Sequence, residues 1–100
     1  MKIWCIRELL SSRELKAEGR AMKHCVATYA HSCAGGRTAI FTMEMEEGSG
    51  REKLLTIEVL LKSRQIRQVR GKLNRYATQK ELGILKRWAL RERLTIASYL

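Results

Sequence analysis

The sequence predicts an α+β fold: two N-terminal helices, a three-stranded antiparallel meander and a C-terminal helix packed on the sheet, in one domain spanning residues 1–100. Three observations predict it. Two capping boxes, Ser11-Ser12-Arg13-Glu14 and Thr78-Gln79-Lys80-Glu81, open helical stretches toward either end of the chain. Between them, two runs alternate apolar and polar residues with the period of a strand. The chain has 100 residues, of which 45% are hydrophobic and 30% charged, the balance of a small globular domain with a single core.

The first helix starts at the Ser11 cap and reaches Gly19, which ends it or bends it. A second helical stretch runs from Arg20 to about Cys33, with Met22, Cys25, Val26, Tyr29 and Cys33 on one apolar face, and Gly35-Gly36 stops it. Thr38–Met45 alternates Ala39, Phe41, Met43 and Met45 to one side, and Lys53–Leu61 does the same with Leu55, Ile57, Val59 and Leu61. The polar segment from Glu46 to Arg51 connects them as a hairpin, and Arg64–Arg70 follows the short turn Lys62-Ser63 as a third strand. The last helix runs from the second capping box to about Glu92, with Leu82, Leu85, Trp88 and Ala89 inward. Helices covering one face of the sheet complete the domain, and Trp4 with the apolar end Ile96–Leu100 closes the core or seals a dimer.

Several classes are excluded by composition. The chain contains no proline, so it has no Pro-rich linker. No apolar run approaches the roughly 20 residues of a membrane span. The start of the chain, Met1 to Glu8, turns charged too early for a signal peptide, so a cytoplasmic location is expected. Three cysteines, Cys5, Cys25 and Cys33, form neither a disulfide framework nor a CxxC pattern and suit a reducing compartment.

The formal net charge is +10 and is uneven. Residues 1–50 hold seven Lys/Arg against six Glu, whereas residues 51–100 hold thirteen against four, a net of +9. Such asymmetry speaks of partners, not of fold. Arg64, Arg67, Arg70, Lys72 and Arg75 lie on and after the third strand, and Lys80, Arg87 and Arg91 share one side of the last helix. The expectation is one cationic surface for a nucleic acid, with Gln65, Gln68 and Asn74 as hydrogen-bonding groups and Tyr76 as a stacking platform. An acidic protein surface is the other partner expected; a membrane is not, because the basic helix lacks a broad aromatic face.

The segment Met22 to Tyr29 places His24 beside Cys25. Helical neighbours point about 100° apart, so His24 is badly placed as a base for Cys25. His24 and His31 stand about 10 Å apart along a helix, too far to share one zinc, and Cys25 and Cys33 are likewise too far apart for a disulfide. Cys25 and Tyr29 therefore read as packing residues, while His24 stays open between a structural and an acid/base role. If the first helices pack near the end of the third strand, His24, Gln68 and Asn74 converge in one polar cleft, with Gly71 allowing the bend. Glu44, Glu46, Glu47 and Glu52 read as a solvated hairpin tip with no metal-loop spacing. No cofactor or metal is expected.

The order Glu14-Leu15, Glu18-Gly19, Met22, His24-Cys25-Val26, Tyr29, the paired strands, then Gln68, Gly71, Asn74 and Trp88 resembles the PcfJ-like family over about Ile6 to Glu92. These are proteins of conjugative plasmids and phages, so the resemblance implies a bacterial mobile-element setting. It also implies that, if the family's motif marks a site, the matching positions are His24, Cys25, Tyr29, Gln68 and Asn74. Three functions remain in play: a nucleic-acid-binding domain, a small nucleic-acid-acting enzyme using His24, and a protein that binds and blocks an acidic host defence protein.

Overall fold

A computed structural model describes residues 1–23 and 36–98. In chain order the elements are β1 (Lys2–Glu8), α1 (Ser12–Met22), β2 (Thr38–Glu47), β3 (Gly50–Leu60), β4 (Gln65–Arg70), a 3-10 turn (Lys72–Asn74), α2 (Gln79–Glu92) and β5 (Thr95–Ile96). The strands form one curled, mixed sheet in the order β1-β2-β3-β4-β5, antiparallel throughout except for the parallel β4–β5 pair.

This corrects the expected architecture in three ways. The meander β2–β3–β4 is the middle of a five-stranded sheet, not the whole of it. β1 is an edge strand with mostly exposed residues, so its short alternation at Trp4 and Ile6 does not stand out, and β5 is only two residues long. Among the described residues there is one N-terminal helix, and it runs through Gly19 to Met22, so Arg20 belongs to its last turn. The helix stops where Lys23 turns left-handed (φ 57°) and its N–H bonds the Gly19 carbonyl. The rest of the predicted second helix, including His24, Cys25 and Tyr29, lies outside the described residues.

The third correction is that the helices cover opposite faces. Adjacent residues of a strand point to opposite sides. On one side Met43, Leu55, Ile57, Val59, Ile66 and Val69 form the main core with Leu85, Trp88 and Ala89 of α2. Phe41 meets Trp88 edge-on, with ring centroids 5.0 Å apart. On the other side Thr56 and Lys53 meet Glu18 of α1, which is wholly buried. Both faces of β2 and β3 are thus covered, and most of their residues are buried.

Local chemistry explains the element ends. Ser11 caps α1 by accepting the Glu14 N–H, but the Glu14 carboxylate reaches the N–H of Leu10 and the guanidinium of Arg7 instead of the cap residue itself. At α2 both bonds of the Thr78–Glu81 box form. The β2–β3 connection tightens to Gly48-Ser49, with Gly48 at φ +61°. Register shifts at Met43/Glu44 and at Glu58/Val59 mark bulges, which strengthen the twist of the sheet.

Candidate nucleic-acid interface

The eight predicted cations do not gather into one patch. Two are used inside the fold. Arg64, at φ 54°, donates through its guanidinium to the carbonyls of Glu92 and Arg93 and so closes the end of α2. Arg75 grips Glu81 with two hydrogen bonds of 3.0 Å and donates a third to the Leu54 carbonyl. The other six divide between the two sides of the sheet. Arg67 is the extra residue of the β4 bulge and pairs with Glu58 on the α1 side. Arg70 points to that side as well, its guanidinium 4.5 Å from the centre of the Tyr76 ring, and Lys72 sits in the 3-10 turn that touches α1.

Lys80, Arg87 and Arg91 stand on α2 beside the edge strand β1. Together with Ile84 they occupy positions i, i+4, i+7 and i+11, one stripe of the helix. Trp4, Ile6, Ile84, Arg87, Trp88 and Arg91 line an open groove of about 400 Å³ between β1 and α2. Lys80 Nζ lies 4.7 Å over the Trp4 ring at its margin. A Cβ on Gly83 would meet nothing, so solvent reaches this stretch of the helix. The groove therefore combines an aromatic and aliphatic floor with a rim of exposed cations. The sequence signal that could have found it is the alternation Lys2, Trp4, Ile6, Glu8, which puts Trp4 and Ile6 on the α2 face of β1.

The α1 face holds a second polar assembly. Glu18 accepts from Lys53 Nζ (2.8 Å) and from the Thr56 hydroxyl (2.6 Å). Lys53 also donates to Glu44 (3.3 Å), and Glu44 pairs with Arg7 (3.2 Å). Glu44 is thus a buried member of an ion-pair chain, not part of a solvated hairpin tip. Burial, the largest single influence, pushes its carboxyl up, but the charge and hydrogen bond of Lys53 with those of Arg7 hold it below the ordinary value. Glu58 is different. Burial raises its pKa, and the charge of Arg67 only partly offsets this. Arg67 Nε is 3.5 Å from Glu58 Oε1, without hydrogen-bond geometry, and Oε1 has no hydrogen-bond partner among the described residues.

Of the predicted cleft residues, Gln68 stands opposite Glu58 in the β3–β4 register, half-buried on the α1 side. Asn74 is exposed at φ 63° in the turn that α1 touches, and His24 lies outside the described residues. Gly71 is not a hinge, since its φ of −91° is open to any residue. Its missing Cβ instead makes room for the Arg75 side chain, whose atoms would come within 2.6 Å of one. No group of three or more His, Cys, Asp or Glu among the described residues can hold a metal ion, and no described helix is long and apolar enough to cross a membrane.

Compared with known proteins, the chain matches the family model for PcfJ-like proteins over residues 2–85. No curated protein and no solved structure matches it.

Proposed function

We propose, for a chain that belongs to the PcfJ-like protein family, that it binds single-stranded nucleic acid along the groove between β1 and α2. One observation carries the reading: Trp4, an aromatic face with an apolar surround, stands in line with Lys80, Arg87 and Arg91. Phosphates supply the counter-charge for the helical stripe, and a base takes the place of the Lys80 ammonium over the indole. Stacking of this kind tolerates any base and contributes about 1–3 kcal/mol per base. The floor of the groove favours exposed bases over a duplex, whose bases are already stacked. The net charge of +9 over residues 51–100 supports a polyanionic partner, as does the mobile-element setting implied by the family.

The test is retention of labelled single-stranded DNA and RNA over a range of salt. Three phosphate contacts give a log–log salt slope of about −2. Arg87→Glu with Arg91→Glu should abolish retention, and Trp4→Ala should weaken it by about 5- to 150-fold. Retention that ignores both salt and these substitutions refutes the reading. Capture of an acidic protein surface with neither oligonucleotide retained assigns the stripe to a protein partner instead.

A second reading, a small enzyme acting on nucleic acid, has Glu58 in its favour. A buried carboxyl with a raised pKa, opposite Gln68, suits acid/base work together with His24 and Asn74. Turnover of a labelled oligonucleotide that survives both Glu58→Gln and His24→Ala excludes it.

A further inference from the structure

We infer that two copies of this chain pair through β1, antiparallel and centred on Cys5, joining two five-stranded sheets into one. The inference does not rest on nucleic-acid binding.

Among the described residues, β1 pairs only with β2, so its other edge is open. Which groups face that edge follows from one bond. Leu9 N–H donates to the Ile40 carbonyl at 2.8 Å, and Leu9 continues the register Glu8↔Phe41. Bonding alternates along an antiparallel pair. Arg7, Cys5 and Ile3 therefore turn their N–H and C=O groups toward β2, and Lys2, Trp4, Ile6 and Glu8 turn theirs outward. Open edges are usually guarded by bulges, by charges or by proline. Here the charges, Lys2, Arg7 and Glu8, sit toward the ends of β1, while its centre, Ile3 to Ile6, holds none: Ile3 is 52% exposed, Trp4 and Ile6 are half-buried, and the strand has no bulge.

The edge is complementary to itself. With Cys5 on the two-fold axis, Lys2 lies opposite the partner subunit's Glu8, and Glu8 opposite the partner subunit's Lys2. Trp4 lies opposite the partner subunit's Ile6. All of these are outward-bonding positions, so each opposed pair exchanges both hydrogen bonds. Sliding the register by two residues either way keeps the bonding but separates both charge pairs. Cys5 falls at a non-bonded position, where opposed Cα atoms approach to about 4.5 Å, within the range a disulfide accepts. It is exposed with a free thiol. A seven-residue strand contact belongs to the small, weak class of interfaces, so association should depend on concentration.

The experiment is sedimentation velocity of the full chain from micromolar to millimolar concentration, with mild oxidation by diamide and mass spectrometry of the linked peptides. The expected result is a reversible dimer whose oxidised form links Cys5 to the partner's Cys5. Glu8→Lys places like charges opposite one another at both ends and should weaken the dimer about tenfold or more. Lys2→Glu should do the same alone. Mixing the two variants restores opposite charges and should restore association as a heterodimer. Both residues are exposed, so folding is not at stake, and far-ultraviolet circular dichroism verifies it. A monomer at every concentration, a dimer indifferent to Glu8→Lys, or a linked peptide lacking Cys5 overturns the inference.

Discussion

Replacing Glu81 by alanine tests how much of this fold is held by one buried carboxylate. Glu81 is 6% exposed and bonds two elements at once. It accepts the Thr78 N–H at 2.9 Å, closing the α2 cap, and binds Arg75 with two bonds of 3.0 Å. Arg75 in turn holds the Leu54 carbonyl of β3, so the carboxylate ties α2 to the sheet through one guanidinium. Loss of the capping bond costs about 1 kcal/mol. Loss of a charge-assisted pair costs about 1.5–3 kcal/mol, and the low end applies because the Arg75 side chain is 39% exposed and regains water. The sum is about 2–3 kcal/mol, roughly 10–20 °C in Tm for a domain of this size. Thermal unfolding followed by circular dichroism measures it. Glu81→Gln keeps one oxygen to accept the Thr78 N–H and one Arg75 bond, and loses the charge and the second Arg75 bond, since an amide nitrogen cannot accept, so it should fall about midway. The double variant with Arg75→Ala should cost less than the two single losses added together. A Tm shift under about 3 °C for Glu81→Ala, or strictly additive losses, would refute the reasoning.

Other outcomes follow from the same contacts. Gly71→Ala should destabilise the wild type by about 1–2 kcal/mol, because the added methyl displaces the Arg75 side chain, yet be nearly neutral beside Arg75→Ala; equal costs in both backgrounds would count against the packing explanation. Glu44 and Glu81 have folded-state pKa values below the ordinary value of 4.5. Their stabilisation is therefore complete above that value and is lost as pH falls below it through the folded-state values, so urea midpoints should drop on acidification. Glu58 runs the other way. Its folded-state pKa is raised, so its contribution is present below 4.5 and is lost as pH rises through the folded-state value. Glu58→Gln should accordingly raise stability at neutral pH by about 1 kcal/mol and have little effect near pH 4; a loss of stability at neutral pH is the contrary result.

Much of the candidate site was present in the sequence without being assembled there. Lys80, Arg87 and Arg91 share a helix side by spacing alone, and the structure keeps them together. Trp4 and Ile6, the floor of the groove, were hidden because β1 is an edge strand whose pattern is too short and too charged to stand out. Arg64 and Arg75 look in sequence like any other surface cation. Their use as a helix-end donor and a carboxylate clamp depends on Glu92 and Arg93, and on Glu81 and Leu54, reaching them through the fold. The polar stripe of β2 and β3, Thr42, Glu44, Thr56 and Glu58, had the alternation of a solvent face, yet α1 helps cover that side.

Near neighbours along the chain are enough to specify the Thr78 cap, the start of α1 at Ser11 and the apolar face of β2 and β3, and composition alone gives the basic excess of the second half. Such features arise from bonds and periodicities within four residues or so, which sequence order specifies directly. Long-range packing instead pairs Lys2–Glu8 with β2, sets α1 and α2 on opposite faces, and separates the cations into clamp, α1-side and groove residues. Those outcomes depend on which faces far apart in the chain bury one another, a choice set by the total packing and charge pairing of the fold and not by any local pattern.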